Sequence, residues 1–370
     1  MQVHDCYSPV DLAPDKGPAV QPEQIDRALV DFAVLAGWMD GEGLPGGPFE
    51  DVAPLAGGTQ NTLVRFRRGG RDYVLRRGPG HLRARTNDVL RREARVLAAL
   101  DGTDVPAPRL IAACPDESVM GGAVFYLMTP VEGFNASVTL PETHAEHTRE
   151  MGLNAARALS ALGAVDHEAV GLGDFGKPEG FLERQVGRWT SELDSYDALD
   201  GYPGPDIPGL DDVARWLEER RPKLWRPGIL HGDYHLANLM YSFDGPEVAA
   251  IVDWEMCTIG DPLLDLGWLL ATWPDRDDQS AALAGPLGRA GGLPAADELV
   301  ATYAERADAV AGRDLSSITW YAVLACFKLG IVLEGTHARA FAGKAPKETG
   351  DLLHSITLGL FRRAQAFIAA

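Results

Sequence analysis

Three residues constrain this chain most: Asp233 and Asn238 in HGDYHLANLM, and Asp253 in AAIVDWE. Asp233 and Asn238 stand five residues apart in a loop between short apolar runs. Asp253 closes the next apolar run, fifteen residues on. A hairpin-like return through NLMYS, FDGPE and VAAIV would bring Asp253 back beside Asn238. The spacing therefore predicts two carboxylates and one amide facing a common space. Asp and Asn also favour turns, and that is the plain alternative.

Phosphoryl transfer requires this inventory. One carboxylate orients or deprotonates an attacking hydroxyl, while an amide oxygen and a second carboxylate hold Mg2+ on a triphosphate. The protein kinase pattern is H-R-D-x-x-x-x-N followed by D-F-G. Here His231-Gly232-Asp233 leads to Asn238, and Asp253-Trp254-Glu255 follows. The first motif is weak alone. It gains weight from the strand-terminal Asp253 and from a β-rich segment upstream.

That segment sets the expected organisation. Residues 1–48 read as an N-terminal tail and a helix, EQIDRALVDFAVLAGWM, broken by PGGP. Residues 49–130 read as a small nucleotide-binding lobe. TLVRFRR alternates, Gly69 and Gly70 turn, and RDYVLRR returns. TNDVLRREARVLAAL then places Val89, Leu90, Ala94, Leu97 and Leu100 on one helical face. Residues 131–370 read as a large helical lobe holding the catalytic and metal-binding loops and an acceptor pocket. Helices are expected at 142–164, 179–196, 211–224, 263–273, 295–311 and 315–341, with short strands at 228–230, 238–242 and 247–254. The expected class is α+β: a small antiparallel β lobe with one helix, and a large, mainly helical lobe.

A net charge of -19 over 370 residues argues against nucleic acid as a partner, because phosphate backbones need a dominant basic face. It suits a small cation as well as it suits a solvated acidic surface. The four cysteines are scattered and form no metal-binding or disulfide pattern. No basic region followed by an apolar run opens the chain, and LLDLGWLLATW is too short to span a bilayer. The expected setting is cytoplasmic, with no membrane partner. A homodimer is one open outcome.

ILHGDYHLANLMY, AAIVDWEMCTIGDPLLDLGW, YVLRRGPG and REARVLAAL together resemble the aminoglycoside phosphotransferase family, a bilobal protein-kinase-like fold that also includes choline kinases. The chain is most similar to its bacterial phosphotransferase-family members, which are related to the kinase-like domain of some acyl-CoA dehydrogenases. The resemblance runs from residue 50 to residue 345. It implies a kinase using ATP and Mg2+ on a small-molecule hydroxyl acceptor. By matching position, Asp233 is the implied catalytic base, and Asn238 and Asp253 are the implied metal ligands. LAGGTQN sits where the nucleotide-covering loop falls, so Gly57, Gly58 and Thr59 are implied to contact the nucleotide. That segment departs from a full G-x-G-x-x-G, and a plain turn is equally compatible. Arg76 matches the strand cation, usually Lys, and Glu93 matches its helical partner. Met128, just before the connector, completes the implied nucleotide-binding set. Alternation puts Tyr73 and Leu75 on one face and Val74 and Arg76 on the other, which leaves Arg77 open as the alternative cation.

Other residues read as support. His231 is expected to order its loop, Asp261 before Pro262 to cap a helix, and Asp265 to bond the loop backbone. The acceptor cues conflict. Seven acids and no Lys or Arg lie between Glu192 and Asp212, which suits an aminoglycoside or choline-like amine. Eleven Arg against three acids lie in residues 65–95, which suits phosphates or a hydroxyacyl-CoA. Sugars also stay open, as does ATP against GTP. A silent nucleotide-binding protein would have no reason to keep Asp233. A protein kinase would need a longer segment after Asp253 than the one GDPLLDL allows.

Overall fold

The structure, a computed structural model, describes residues 29–55, 61–80, 82, 85–274 and 285–370. These form two compact units. The smaller combines the described residues up to His147 with Ala237–Cys257, and the larger combines Thr148–Leu236 with Thr258–Ala370.

The small unit is built on a five-stranded antiparallel sheet of β1 (Phe49–Pro54), β2 (Thr62–Arg68), β3 (Arg71–Arg77), β4 (Leu110–Cys114) and β5 (Phe125–Met128). Their order is β1-β2-β3-β5-β4. Arg68 pairs with Arg71, so Gly69 and Gly70 alone make the β2–β3 turn, with φ of 58° and 76°. Two successive positive φ angles match the right-handed twist of the flanking strands and favour glycine.

Side-chain alternation gives the sheet two faces. Val64, Phe66, Tyr73, Leu75, Phe125 and Leu127 pack in one cluster with Leu35 and Met39 of the helix Phe32–Gly41. Asp31 caps that helix, accepting from the amides of Ala33 and Val34 at 2.9 and 3.1 Å. The helix Thr86–Leu100 buries Leu90, Glu93, Ala94, Val96, Leu97 and Leu100. Its buried face therefore includes one carboxylate. Val89, expected on that face, is only half-buried.

A second antiparallel sheet in this unit joins Phe134–Asn135, Leu239–Tyr241 and Val248–Ile251. Leu239 pairs with Ile251 and Met240 with Ala250, the return that the spacing of Asn238 and Asp253 predicts. Asn135 ties its own strand to the loop by donating from Nδ2 to the Ala237 carbonyl at 2.5 Å.

The large unit is mainly helical. Its centre is the helix Ile318–Phe341, which packs against Leu263–Thr272 and Lys347–Ala369. Gly267 lets the first two approach, because a Cβ there would strike the Tyr321 backbone. By length and composition Leu315–Phe341 could cross a membrane, but 72% of its most apolar window is buried inside the fold. A two-stranded ladder, Gly228–Leu230 with Thr258–Gly260, also belongs to this unit. Lys347–Ala369 and Gly285–Ala290 are helices absent from the sequence expectation.

Candidate active site

In the large unit, the strand Gly228–Leu230 runs directly into His231, Gly232 and Asp233. Gly232 has φ 87°, a conformation that few other residues adopt at low cost. The turn is held from beneath. Asp265 accepts from the His231 amide at 2.6 Å and from the Gly232 amide at 2.9 Å. Lys328 donates to the Gly232 carbonyl at 3.0 Å. Its ammonium lies over the rings of Trp268 and Trp189, at 4.3 and 5.5 Å. His231 is fully buried, and its Nδ1 accepts from the Asp233 amide at 3.3 Å. Tyr234 anchors the far side by donating to the Ala155 carbonyl at 2.7 Å.

Asp233 is 5% exposed, and its Oδ2 lies 3.4 Å from His235 Nε2. Burial alone would push its carboxyl up. The charges of His235, His231 and Lys328 outweigh burial and hold it below the usual carboxylate range. Asp265 shows the opposite balance, with burial dominant and its carboxyl raised. Asp261 accepts from the Leu263 amide at 3.0 Å and from the Tyr321 hydroxyl at 2.6 Å. Burial pushes it up to about 6, against the pull of Tyr321, Leu263 and Arg313.

In the small unit, Arg76 Nε and Nη2 donate to the two Glu93 oxygens at 2.8 and 2.7 Å. Nη2 also reaches Asp253 Oδ1 at 3.3 Å. Tyr126, paired with Arg76 across the sheet, donates to Glu93 at 3.0 Å. Burial disfavours the Arg76 charge, but Glu93 and Asp253 overcome it and hold its pKa well above the ordinary arginine value. Arg77 donates instead to the Leu29 carbonyl. The geometry thus separates two arginines that alternation leaves open.

Asp253 has φ 65° and ψ 67°, left-handed values that Asp tolerates better than most residues. Carboxylate oxygens of Glu93, Asp253 and Glu255 lie within 4.8 Å of one another, with both Glu93 oxygens engaged by Arg76. Asn238 is 3% exposed, and its carbonyl accepts from the Val252 amide at 3.0 Å. Met128 ends β5, 6% exposed and paired with Val74 and Leu110. Gly57, Gly58 and Thr59 lie outside the described residues.

The family model described as "Phosphotransferase enzyme family" matches residues 51–306. The chain belongs to that family. Acyl-CoA dehydrogenase family member 11 of Gallus gallus is 29% identical over 317 residues and covers 83% of the chain. The chain spans only 29% to 39% of the length of the curated relatives it matches. A solved structure of a candidate aminoglycoside phosphotransferase from Ralstonia eutropha JMP134 is 28% identical, with a TM-score of 0.71. It covers 91% of this chain, which covers 98% of it. The GDP and kanamycin complex of APH(2'')-IIIa is 17% identical with a TM-score of 0.59 and shares the fold, covering 90% of this chain and 99% of that one. The fold is the α+β, protein-kinase-like fold of these phosphotransferases.

Several residues of this phosphotransferase around the site are not found from sequence motifs. Tyr126 had a signal in its pairing opposite Arg76, but only the sheet register exposes it. Lys328 had a clearer one, as a cation within the apolar run ACFKLGIVLEG. Glu255 follows Asp253 by two residues and was readable as a third oxygen donor.

Proposed function

We propose that this phosphotransferase moves the γ-phosphoryl group of ATP to a hydroxyl of a small molecule. The observation that carries the reading is Asp233, a buried carboxylate kept ionisable by neighbouring cationic groups on a turn pinned by Asp265 and Lys328. In this reading Asp233 orients the acceptor hydroxyl and receives its proton as the oxygen attacks the γ-phosphorus. The bond to the β–γ bridging oxygen breaks, and that oxygen leaves with ADP.

Asn238 and Asp253, with Glu255 in reach, would hold Mg2+. When bound, the ion would neutralise charge on the nucleotide phosphates. Arg76, fixed by Glu93, would carry its charge towards the same phosphates. Gly57, Gly58 and Thr59 would cover the nucleotide, and Met128 would line its base. GDP in the APH(2'')-IIIa complex supports a nucleotide donor, and the kanamycin there supports a hydroxyl-bearing small acceptor.

A hydroxyacyl-CoA acceptor is the second reading. It is favoured by the similarity to acyl-CoA dehydrogenase family members over more than four-fifths of this chain. An ATP-consumption screen across aminoglycosides, choline-like amines, sugars and hydroxyacyl-CoAs separates the two. The same screen on Asp233→Asn tests the base. Loss of about 10²- to 10⁴-fold in kcat with nucleotide binding retained is expected, and an unchanged rate rejects the role.

A further inference from the structure

Glu334, His337 and His354 bring one carboxylate and two imidazoles together in the large unit, with one ligand-capable atom from each within 4.8 Å of the others. Glu334 and His337 are three residues apart on Ile318–Phe341, so they share one helical face. His354 comes from Lys347–Ala369, the helix most extensively packed against it. The Glu334 carboxylate is fully buried, and its Oε2 lies 2.7 Å from His354 Nδ1. The His337 and His354 rings stack at 4.4 Å with 19° between their planes.

We propose that these three side chains form a binding site for a divalent transition metal, with zinc the best match. Two imidazoles and one carboxylate favour zinc and its neighbours over Mg2+ or Ca2+, which prefer all-oxygen sets. Three donors come from two rigid, mutually packed helices, so little ordering remains to be done on binding. Two further groups flank the triad as orienting partners flank metal ligands. Tyr202 donates to Glu334 Oε1 at 2.7 Å, and an Asp351 oxygen lies 3.8 Å from His337 Nδ1. A simple Glu334–His354 hydrogen bond accounts for one contact. It does not account for His337 stacked against the same pair.

Three protein ligands leave a fourth position for water or a small anion. The metal would lock the two helices together and, through Tyr202, hold the segment that follows Ser195–Ala198.

The test uses the whole chain, stripped with chelator and titrated with zinc chloride by calorimetry. The wild type takes up one equivalent. His337→Ala and His354→Ala each weaken that event by more than about 100-fold, since a lost ligand costs more than a lost orienting partner. Glu334→Gln and His354→Gln, which keep polar partners in place, do the same while circular dichroism shows them folded. Cobalt(II) gives an independent reading through its visible spectrum, which appears in the wild type and disappears in the His variants. Asp253→Ala keeps the equivalent. Absence of zinc uptake by the wild type, its survival in folded His354→Gln, or its loss only in Asp253→Ala would each overturn the assignment.

Discussion

Arg76 and Glu93 form a two-point ion pair inside the small unit, with side chains 7% and 1% exposed. β3 supplies the guanidinium, the helix Thr86–Leu100 supplies the carboxylate, and Tyr126 occupies a further lone pair. Breaking one side of such a pair costs more than removing both, because a stranded buried charge must be desolvated alone. Arg76→Met should therefore destabilise the chain by about 3–5 kcal/mol in urea denaturation. Adding Glu93→Leu should recover most of that loss. A double variant no more stable than Arg76→Met would show that the pair acts through something other than charge compensation.

Asp265 supports the Asp233 turn through two backbone amides. Asp265→Ala leaves both donors buried without a carboxylate and should cost about 3 kcal/mol or more. Asp265→Asn keeps one acceptor and should cost less. Equal stability of the two variants would mean that the amides find water or another acceptor. Phosphoryl transfer should fall in the same order.

Lys328 should tune the ionisation of Asp233. Burial raises that carboxyl, and His235, His231 and Lys328 together bring it below the ordinary range. Lys328→Met removes one of the lowering charges at similar volume, so the Asp233 pKa should rise. A base must be ionised to act, so the acid limb of kcat/KM should move to higher pH. An acid limb at the same pH in both proteins would disconnect Lys328 from Asp233.

Asp261 should leave a pH signature in stability. Its carboxyl lies at about 6 in the folded chain against an ordinary 3.8. The fold favours the protonated form, so this contribution is fully present below the ordinary value and is lost as pH rises through 6. Asp261→Asn cannot titrate. Relative to that variant, the wild type should lose up to about 3 kcal/mol across this window. Denaturation curves at a series of pH values measure this, and a constant difference between the two proteins would contradict it.

The local parts of the site were legible because they depend on short spacings. The β2–β3 turn follows from two adjacent glycines, and the Leu239–Ile251 pairing follows from the interval between Asn238 and Asp253. The helix Thr86–Leu100 follows from its apolar period, although Glu93 and Val96 complete the buried face where Val89 does not. Less was legible where contacts span long separations. Nothing in RDYVLRR alone says that Arg76 meets Glu93 while Arg77 turns to Leu29. That difference appears only once the two sheet faces have different coverings. The Lys328 contact with Gly232 joins residues 96 apart, beyond any periodic signal. Lys347–Ala369 was missed because glycines and a mixed polar face dilute its pattern, and its packing against Ile318–Phe341 supplies what periodicity does not.

The excursion of Ala237–Cys257 into the small unit has a consequence for dissecting the gene. A fragment ending at His147 carries Phe134–Asn135 without the Leu239–Tyr241 strand that completes its ladder. It also lacks Asp253, the acidic neighbour of Arg76. Such a fragment would expose an open strand edge and invite self-association. Reconstituting the unit calls for a permuted design, in which residues 237–257 are stitched through a linker to the segment ending at 147.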